Sequence, residues 1–246
     1  MRLEGKTAIV TGAGSGFGAG MARKFATEGA RVLVADINMD AAKEIAAEIG
    51  GIACNVDVSN GNSVKAMANQ AFAELGRVDI VVNNAGVTHL PAPMETISEE
   101  AFDRVLNVNV RSIYLAARHF VPHMKANKSG VILNIASTAG VSPRPNLNWY
   151  NASKGWVITA TKAMAVELAP FGIRVNALNP VAGETPLLKS FMGEDTPEMR
   201  AKFISTIPIG RFSTPEDMGN AACYMCSDEA SMITGVAMEV DGGRCI

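Results

Sequence analysis

Thr7-Ala8-Ile9-Val10-Thr11-Gly12-Ala13-Gly14-Ser15-Gly16-Phe17-Gly18 decides the architecture. Its first four residues form a short apolar run of the kind that makes a buried strand. Glycines follow at once, and then a helical pattern that places Met21, Phe25 and Ala26 on its inner face. A strand, a glycine turn and a helix in that order bring backbone N–H groups close to a pyrophosphate at the helix N-terminus. Gly12, Ser15, Gly16, Phe17 and Gly18 are the residues placed to do so. Glycine spacing alone is a weak signal; this context makes it a strong one.

Working outward, Arg31-Val32-Leu33-Val34-Ala35 reads as the second strand and ends in Asp36-Ile37. A dinucleotide-binding unit places there the acid that takes the adenosine ribose hydroxyls. A carboxylate at that point repels a 2′-phosphate, and position 15 is Ser rather than a basic residue, so NAD is expected over NADP. The plainer reading of Asp36 is a solvated cap on the next helix.

Apolar strands then alternate with helical patterns to the end of the chain, the signature of a parallel sheet covered on both faces. A third strand is expected over Ile52 to Val58, with Asp57 and Val58 flanking an adenine, followed by a helix over Ser63 to Leu75. Val78 to Val82 is the fourth strand, ended by Asn83-Asn84-Ala85-Gly86 at the crevice. Such a segment is equally an ordinary polar turn. Glu99 to Val121 is helical but interrupted by Asn107-Val108-Asn109, and a mid-helix Asn implies a kink, a bound water or a polar network. Val131 to Ala136 is another buried strand, and Arg174 to Asn179 is the sixth, closed by Pro180. Val181 to about Gly210 shows little regular patterning and is expected to be a substrate-binding loop or lid. Thr214, Pro215 and Asp217 form a capping box before the next helix, and Val236 to Val240 is the last strand. No linker or repeat interrupts this order, so residues 1–246 read as one doubly wound α/β domain of Rossmann type.

The bulk properties narrow the classes. Of 246 residues, 48% are hydrophobic and 19% charged, with a formal net charge of -2, an ordinary globular balance. Nothing forms a basic patch, which speaks against nucleic acid. The charged N-terminus lacks the apolar core of a signal peptide and no apolar run approaches membrane-spanning length, so a cytoplasmic protein is expected. Cys223 and Cys226 have the spacing of half a zinc site. Without a second pair or a histidine cluster they read as core filling, and no metal is expected.

The chemistry is concentrated between Ser137 and Lys154. Tyr150 and Lys154 are four apart, one turn from each other on a helix face. A free phenol titrates near ~10, and a neighbouring cation stabilises its phenolate, as acid–base catalysis at neutral pH requires. Ser137 ends a parallel strand and so faces the crevice where open α/β sheets bind ligands. Taken alone, Tyr-x3-Lys is more often a surface pair.

Thr11–Gly18, Asp36, Asp57, Asn83–Gly86, Asn109, Ser137, Tyr150, Lys154 and Asn179-Pro180 stand together in order. With these, the chain resembles a short-chain dehydrogenase/reductase of the compact, single-domain type over essentially its full length. The resemblance implies a seven-stranded parallel sheet, a nicotinamide dinucleotide and a homotetramer. It makes Tyr150 the general acid/base, Lys154 the residue that lowers its pKa and holds the nicotinamide ribose, and Ser137 the donor to the substrate oxygen. Asn109 would anchor a water linking Lys154 to solvent, and Thr185 would contact the nicotinamide carboxamide. Pro180-Val181 replaces the family's usual Pro-Gly, with Gly183 two residues later, so the turn at the nicotinamide end is expected to differ locally.

The expected reaction is NAD-linked interconversion of a small secondary alcohol, polyol or hydroxy acid and its ketone. The alternative is a 3-oxoacyl-[acyl-carrier-protein] reductase. Asp36 opposes NADPH, and Phe171 stands where those reductases resemble one another in carrying Arg, leaving Lys128 as a thin basic face. A dinucleotide-binding regulator without activity conflicts with the intact Ser137, Tyr150, Lys154 and Asn109. For the substrate, Arg144 is a candidate for a carboxylate and Asn146 for hydroxyls, His89 lies near the expected rim, and Leu187 belongs to an apolar lid.

Overall fold

The computed structural model describes residues 1–246. Strand β1 (Thr7–Thr11) leads into helix α1 (Gly16–Thr27), β2 (Arg31–Asp36) into α2 (Met39–Ile49), and β3 (Ile52–Asn55) into α3 (Gly61–Leu75). After β4 (Ile80–Asn83) come α4 (Glu99–Leu106) and α5 (Ser112–Asn127); after β5 (Gly130–Ile135) comes α6 (Asn148–Leu168). Strand β6 (Ile173–Pro180) is followed by α7 (Leu188–Met192), α8 (Pro197–Ile204) and α9 (Pro215–Cys226), and β7 (Ala237–Val240) ends the sheet. All seven strands run parallel in the order β3-β2-β1-β4-β5-β6-β7.

Strand residues alternate between the two faces, as period two requires. Val10, Val34 and Val82 pack with Met21 and Phe25 of α1 on one side. Ile9, Leu33 and Val81 pack with Met67 of α3 and Phe120 of α5 on the other. Both faces are covered, which is why the strands read as unbroken apolar runs. The order reverses between β1 and β4, and ligand crevices open beyond the carboxyl ends of strands at such a point.

Local chemistry sets the helix starts. Asn38 and Asn60 each accept two backbone N–H groups as N-caps of α2 and α3. Thr214 and Asp217 form the reciprocal box at α9. Asp36 does not cap α2; its Oδ1 instead accepts from the Asn38 N–H at 2.9 Å.

Two expectations need correction. The third strand stops at Asn55 rather than Val58. Val56 N–H still reaches the Asp36 carbonyl (2.9 Å), but Asp57 then turns the chain by accepting from the Ser59 N–H and hydroxyl. The stretch from Val181 to Gly210 is not patternless, because it contains α7 and α8. Helices of five and eight residues give too few turns for a periodicity to show. They close over a small core of their own, formed by Val181, Leu188, Met192, Ile207 and Phe212.

The interruption foreseen at Asn107-Val108-Asn109 is a π-helical turn, Asn107–Arg111, joining α4 to α5. Such wide turns are rare and concentrate at functional sites.

Candidate active site

A cleft of about 490 Å³ runs across the carboxyl ends of the strands, from Asp36 and Ile37 at one end to Arg144 and Arg244 at the other. Two loops of its floor are joined through Thr11. Its hydroxyl accepts from the Asn84 and Ala85 N–H groups (3.0 and 3.1 Å), and the Asn84 amide donates back to the Thr11 and Gly12 carbonyls (2.7 and 3.1 Å). Asn84 is thus a brace between β1 and β4 as well as a lining residue.

The α1 end fits a dinucleotide. Gly18 has no room for a side chain, since a Cβ there would lie 2.1 Å from the Gly12 carbonyl oxygen. Ser15 makes no side-chain cap and the first turn of α1 holds no acid, so its N-terminal amides remain open to an anion. Asp36 Oδ2 accepts from the Gly14 N–H at 2.8 Å, fixing the glycine turn and the carboxylate in one piece. Every residue assigned from sequence to the dinucleotide lines the cleft.

At mid-cleft, α6 is held to the sheet by a buried polar ladder. Asn83 donates to Asn134 (2.8 Å), and Asn134 donates to the Thr161 hydroxyl (2.9 Å). The loop after β5 approaches α6 closely at Gly140, where a Cβ would sit 2.8 Å from the Lys154 carbonyl carbon. That approach sets Ser137 against Tyr150. The Tyr150 ring is buried, edge-on to Phe191 at 5.1 Å. Lys154 is buried too; its Nζ donates to the Ile135 carbonyl at 2.8 Å and lies 5.9 Å from the Tyr150 ring centre.

The electrostatics differ from the sequence expectation in one respect. Burial pushes the Tyr150 phenol above its ordinary value, and the Ser137 hydrogen bond and the Arg144 charge pull against that rise. Burial also lowers Lys154, to about 8. For Tyr150, desolvation outweighs both opposing contributions because the phenol is cut off from water.

Asn109 sits in the π-helical turn with every side-chain function engaged. Its Oδ1 accepts from the Val87 N–H (2.9 Å), and its Nδ2 donates to the Val87 carbonyl (2.9 Å) and the Ser153 hydroxyl (3.0 Å). It therefore fastens the segment after Gly86 to α6, behind the cleft rather than in its lining. This is the polar network that a mid-helix Asn called for.

Among the substrate candidates, Arg144 and Leu187 line the cleft, whereas His89 and Asn146 do not. His89 is buried, its Nδ1 bonded to the Leu90 carbonyl at 2.9 Å. Asn146 adopts φ 66° in an exposed turn, where an amide side chain tolerates the left-handed region, and its carbonyl receives the Ala92 N–H at 3.0 Å.

Comparison with known proteins agrees with this geometry. A family model described as enoyl-(acyl carrier protein) reductase matches residues 12–244. The 4-formylbenzenesulfonate dehydrogenase of Comamonas testosteroni is 47% identical over the whole of both chains. The chain belongs to the short-chain dehydrogenase/reductase family. Two solved members superpose closely. One is a 3-ketoacyl-(acyl-carrier-protein) reductase from Brucella melitensis complexed with NADH (TM-score 0.95, 52% identity, 99% of this chain and 100% of that one). The other is a 7α-hydroxysteroid dehydrogenase complexed with NADH and 7-oxo glycochenodeoxycholic acid (TM-score 0.93, 40% identity, 98% and 95%). As a short-chain dehydrogenase/reductase, the protein is an oxidoreductase of CH–OH groups.

Sequence reasoning missed several residues of this family member's cleft, notably Arg244, Phe203 and Ile207. Arg244 lies in a turn after β7, and no local pattern says that this turn folds back over the crevice. Phe203 belongs to α8, whose existence the sequence did not reveal.

Proposed function

We propose that the protein interconverts a secondary alcohol and its ketone with NAD(H), using Tyr150 as the proton-transfer group. The observation that supports this reading is that Ser137, Tyr150 and Lys154 line the middle of the same cleft that holds Asp36 and the glycine turn, with Lys154 Nζ 5.9 Å from the Tyr150 ring centre. A bound nicotinamide supplies or accepts the hydride. The chain's own work is to place the substrate oxygen and manage its proton. Tyr150 donates a proton to that oxygen during reduction and removes it during oxidation, and Ser137 holds the oxygen by a hydrogen bond. Lys154 holds the nicotinamide ribose and places positive charge beneath the phenol. Asn109 keeps Gly86, Val87 and α6 in register behind them. The α7–α8 segment serves as a lid over the substrate end, with Leu187 and Phe191 as its apolar underside.

NAD rather than NADP is favoured by the Asp36 carboxylate, which lies in the cleft next to Ile37 with no basic residue at position 15. Asp36→Asn removes the charge while keeping an acceptor for the Gly14 and Asn38 amides. It should narrow the NAD/NADP ratio of kcat/KM by about tenfold or more. An unchanged ratio places cofactor choice elsewhere.

A 3-oxoacyl-carrier reductase remains the second reading, supported by the 52% identity to the Brucella protein of that name. An absorbance screen at the reduced-nicotinamide band separates the two, run with NAD and NADP on secondary alcohols, polyols and hydroxy acids. The reverse direction uses NADH and NADPH with an acetoacetyl thioester. NAD reduction by one alcohol class supports the first reading; efficient thioester reduction with NADPH replaces it with the second.

A further inference from the structure

The cleft is electrically polarised along the sheet. Its acids, Asp36 and Asp57, lie beyond β2 and β3 at one edge, while Arg144 follows β5 and Arg244 follows β7 toward the other. The chain's ion pairs engage other cations and leave these two half-buried arginines, like the exposed Arg104 that also lines the cleft, without a carboxylate. Arg174, likewise partly buried and free of any carboxylate, spends its donors on the carbonyls of Met225, Ser227 and Ile233. Neither Arg144 nor Arg244 has such an outlet.

Arg144 is also held in place. Its guanidinium carbon lies 5.0 Å from the Phe203 ring centre and 5.8 Å from that of Phe191, so both lid helices contribute an aromatic face to it. Its main-chain carbonyl is fixed by the Asn151 amide at 2.7 Å. A guanidinium positioned by stacking keeps its in-plane N–H fork free for a planar or tetrahedral oxyanion. Partial burial of a cation without a counter-ion is unfavourable, and an anionic ligand relieves it. In keeping with this, burial holds Arg144 below the ordinary arginine value, with Tyr150 opposing the shift and the charge of Arg244 adding to it.

We infer that Arg144 and Arg244 together form an anion clamp at the substrate end of the cleft, so that the preferred substrate carries a carboxylate or sulfonate on an apolar body. The apolar body follows from Leu187, Phe191, Phe203 and Ile207, which line the same end. Arg144 lies close enough to Tyr150 for their charges to interact, so the clamp serves the reacting end of the site and not the α1 end, where the pyrophosphate amides are. This inference rests on the oxidoreductase reading for the word substrate, but the clamp itself is testable as a binding site.

The test is calorimetric titration of the full chain, with and without NADH, using benzoate, benzenesulfonate and, as the neutral control, benzyl alcohol. The wild-type protein should bind at least one anion about tenfold or more tightly than the alcohol. Arg144→Met and Arg244→Met should each erase that preference, Arg144→Lys should retain part of it, and NADH affinity, read from its fluorescence, should stay unchanged. Equal binding of anion and alcohol, no anion binding at about 10 mM, or Met variants that bind anions like wild type would each overturn the clamp. Weakened NADH binding in both Met variants would overturn it as well, by assigning the pair to the dinucleotide. Anion binding in a protein that fails to bind NADH would leave the clamp standing and remove the oxidoreductase reading.

Discussion

Tyr150→Phe is expected to lose about a thousandfold in turnover while NADH affinity stays within about twofold of wild type. The substitution deletes one oxygen and keeps the ring, so the edge-on contact with Phe191 at 5.1 Å survives and no cavity opens. What disappears is the phenol beside Ser137, and with it the proton that the proposed reaction passes to the substrate oxygen. Because burial holds the phenol above its ordinary value, Tyr150 is protonated at neutral pH and ready to act as the acid in ketone reduction. Alcohol oxidation needs the phenolate and should therefore accelerate as pH rises through the alkaline range, whereas reduction should not. Steady-state rates in both directions between about pH 6 and 10 check this. Turnover by Tyr150→Phe within about tenfold of wild type, or parallel pH profiles in the two directions, would remove Tyr150 from its role.

Lys154→Met is the second large effect, and it separates function from stability. Turnover should fall about a hundredfold or more, because the cation beneath Tyr150 is gone. Stability at pH 7 should nevertheless hold or rise. The Lys154 ammonium is lowered from 10.5 to about 8 by burial, so the folded protein holds its proton less tightly than the unfolded chain does. That difference corresponds to a penalty of about 3 kcal/mol, fully present below about pH 8 and relieved as pH climbs to the unfolded value. Met removes the penalty and fills the space, while the Ile135 carbonyl loses its 2.8 Å donor, an offset of about 1–3 kcal/mol. In thermal melts, the advantage of Lys154→Met over wild type should shrink from pH 8 toward pH 10.5. A fall in Tm of more than about 5 °C at pH 7 would show that Lys154 is held for the fold rather than for chemistry.

The parts legible in the sequence are those specified by neighbouring residues. Thr7–Gly18 contains its own strand, turn and helix start, and Thr214-Pro215 with Asp217 contains its own cap, so both read directly. Asp36 and Tyr150/Lys154 read because strand ends and helix faces place them in known directions. Arg244 did not, since its approach to Arg144 depends on how the turn after β7 crosses a crevice built from residues a hundred positions upstream. Nor did the balance of forces on Tyr150. Spacing announces a lysine one turn away, but only the packed structure shows how completely water is excluded from both groups. His89 and Asn146 stand beside the cleft without lining it: the His89 Nδ1 bonds the Leu90 carbonyl, and Asn146 gives its main-chain carbonyl to the Ala92 N–H.

The π-helical turn at Asn107–Arg111 acts as a torsional offset within a continuous rod. Each residue advances an α-helix by about 100°, so widening one turn re-aims every side chain that follows by a large fraction of a revolution. Val105, before the offset, is buried on α4, which packs against α6, whereas Leu115, Phe120 and Met124, after it, join the core shared with α3 and α6. Deleting one residue there would close the wide turn to an α turn and cost Asn109 its hold on Val87 while Phe120 keeps its azimuth, so the fastening of α6 can be undone without unseating the core that α3, α5 and α6 share on one face of the sheet.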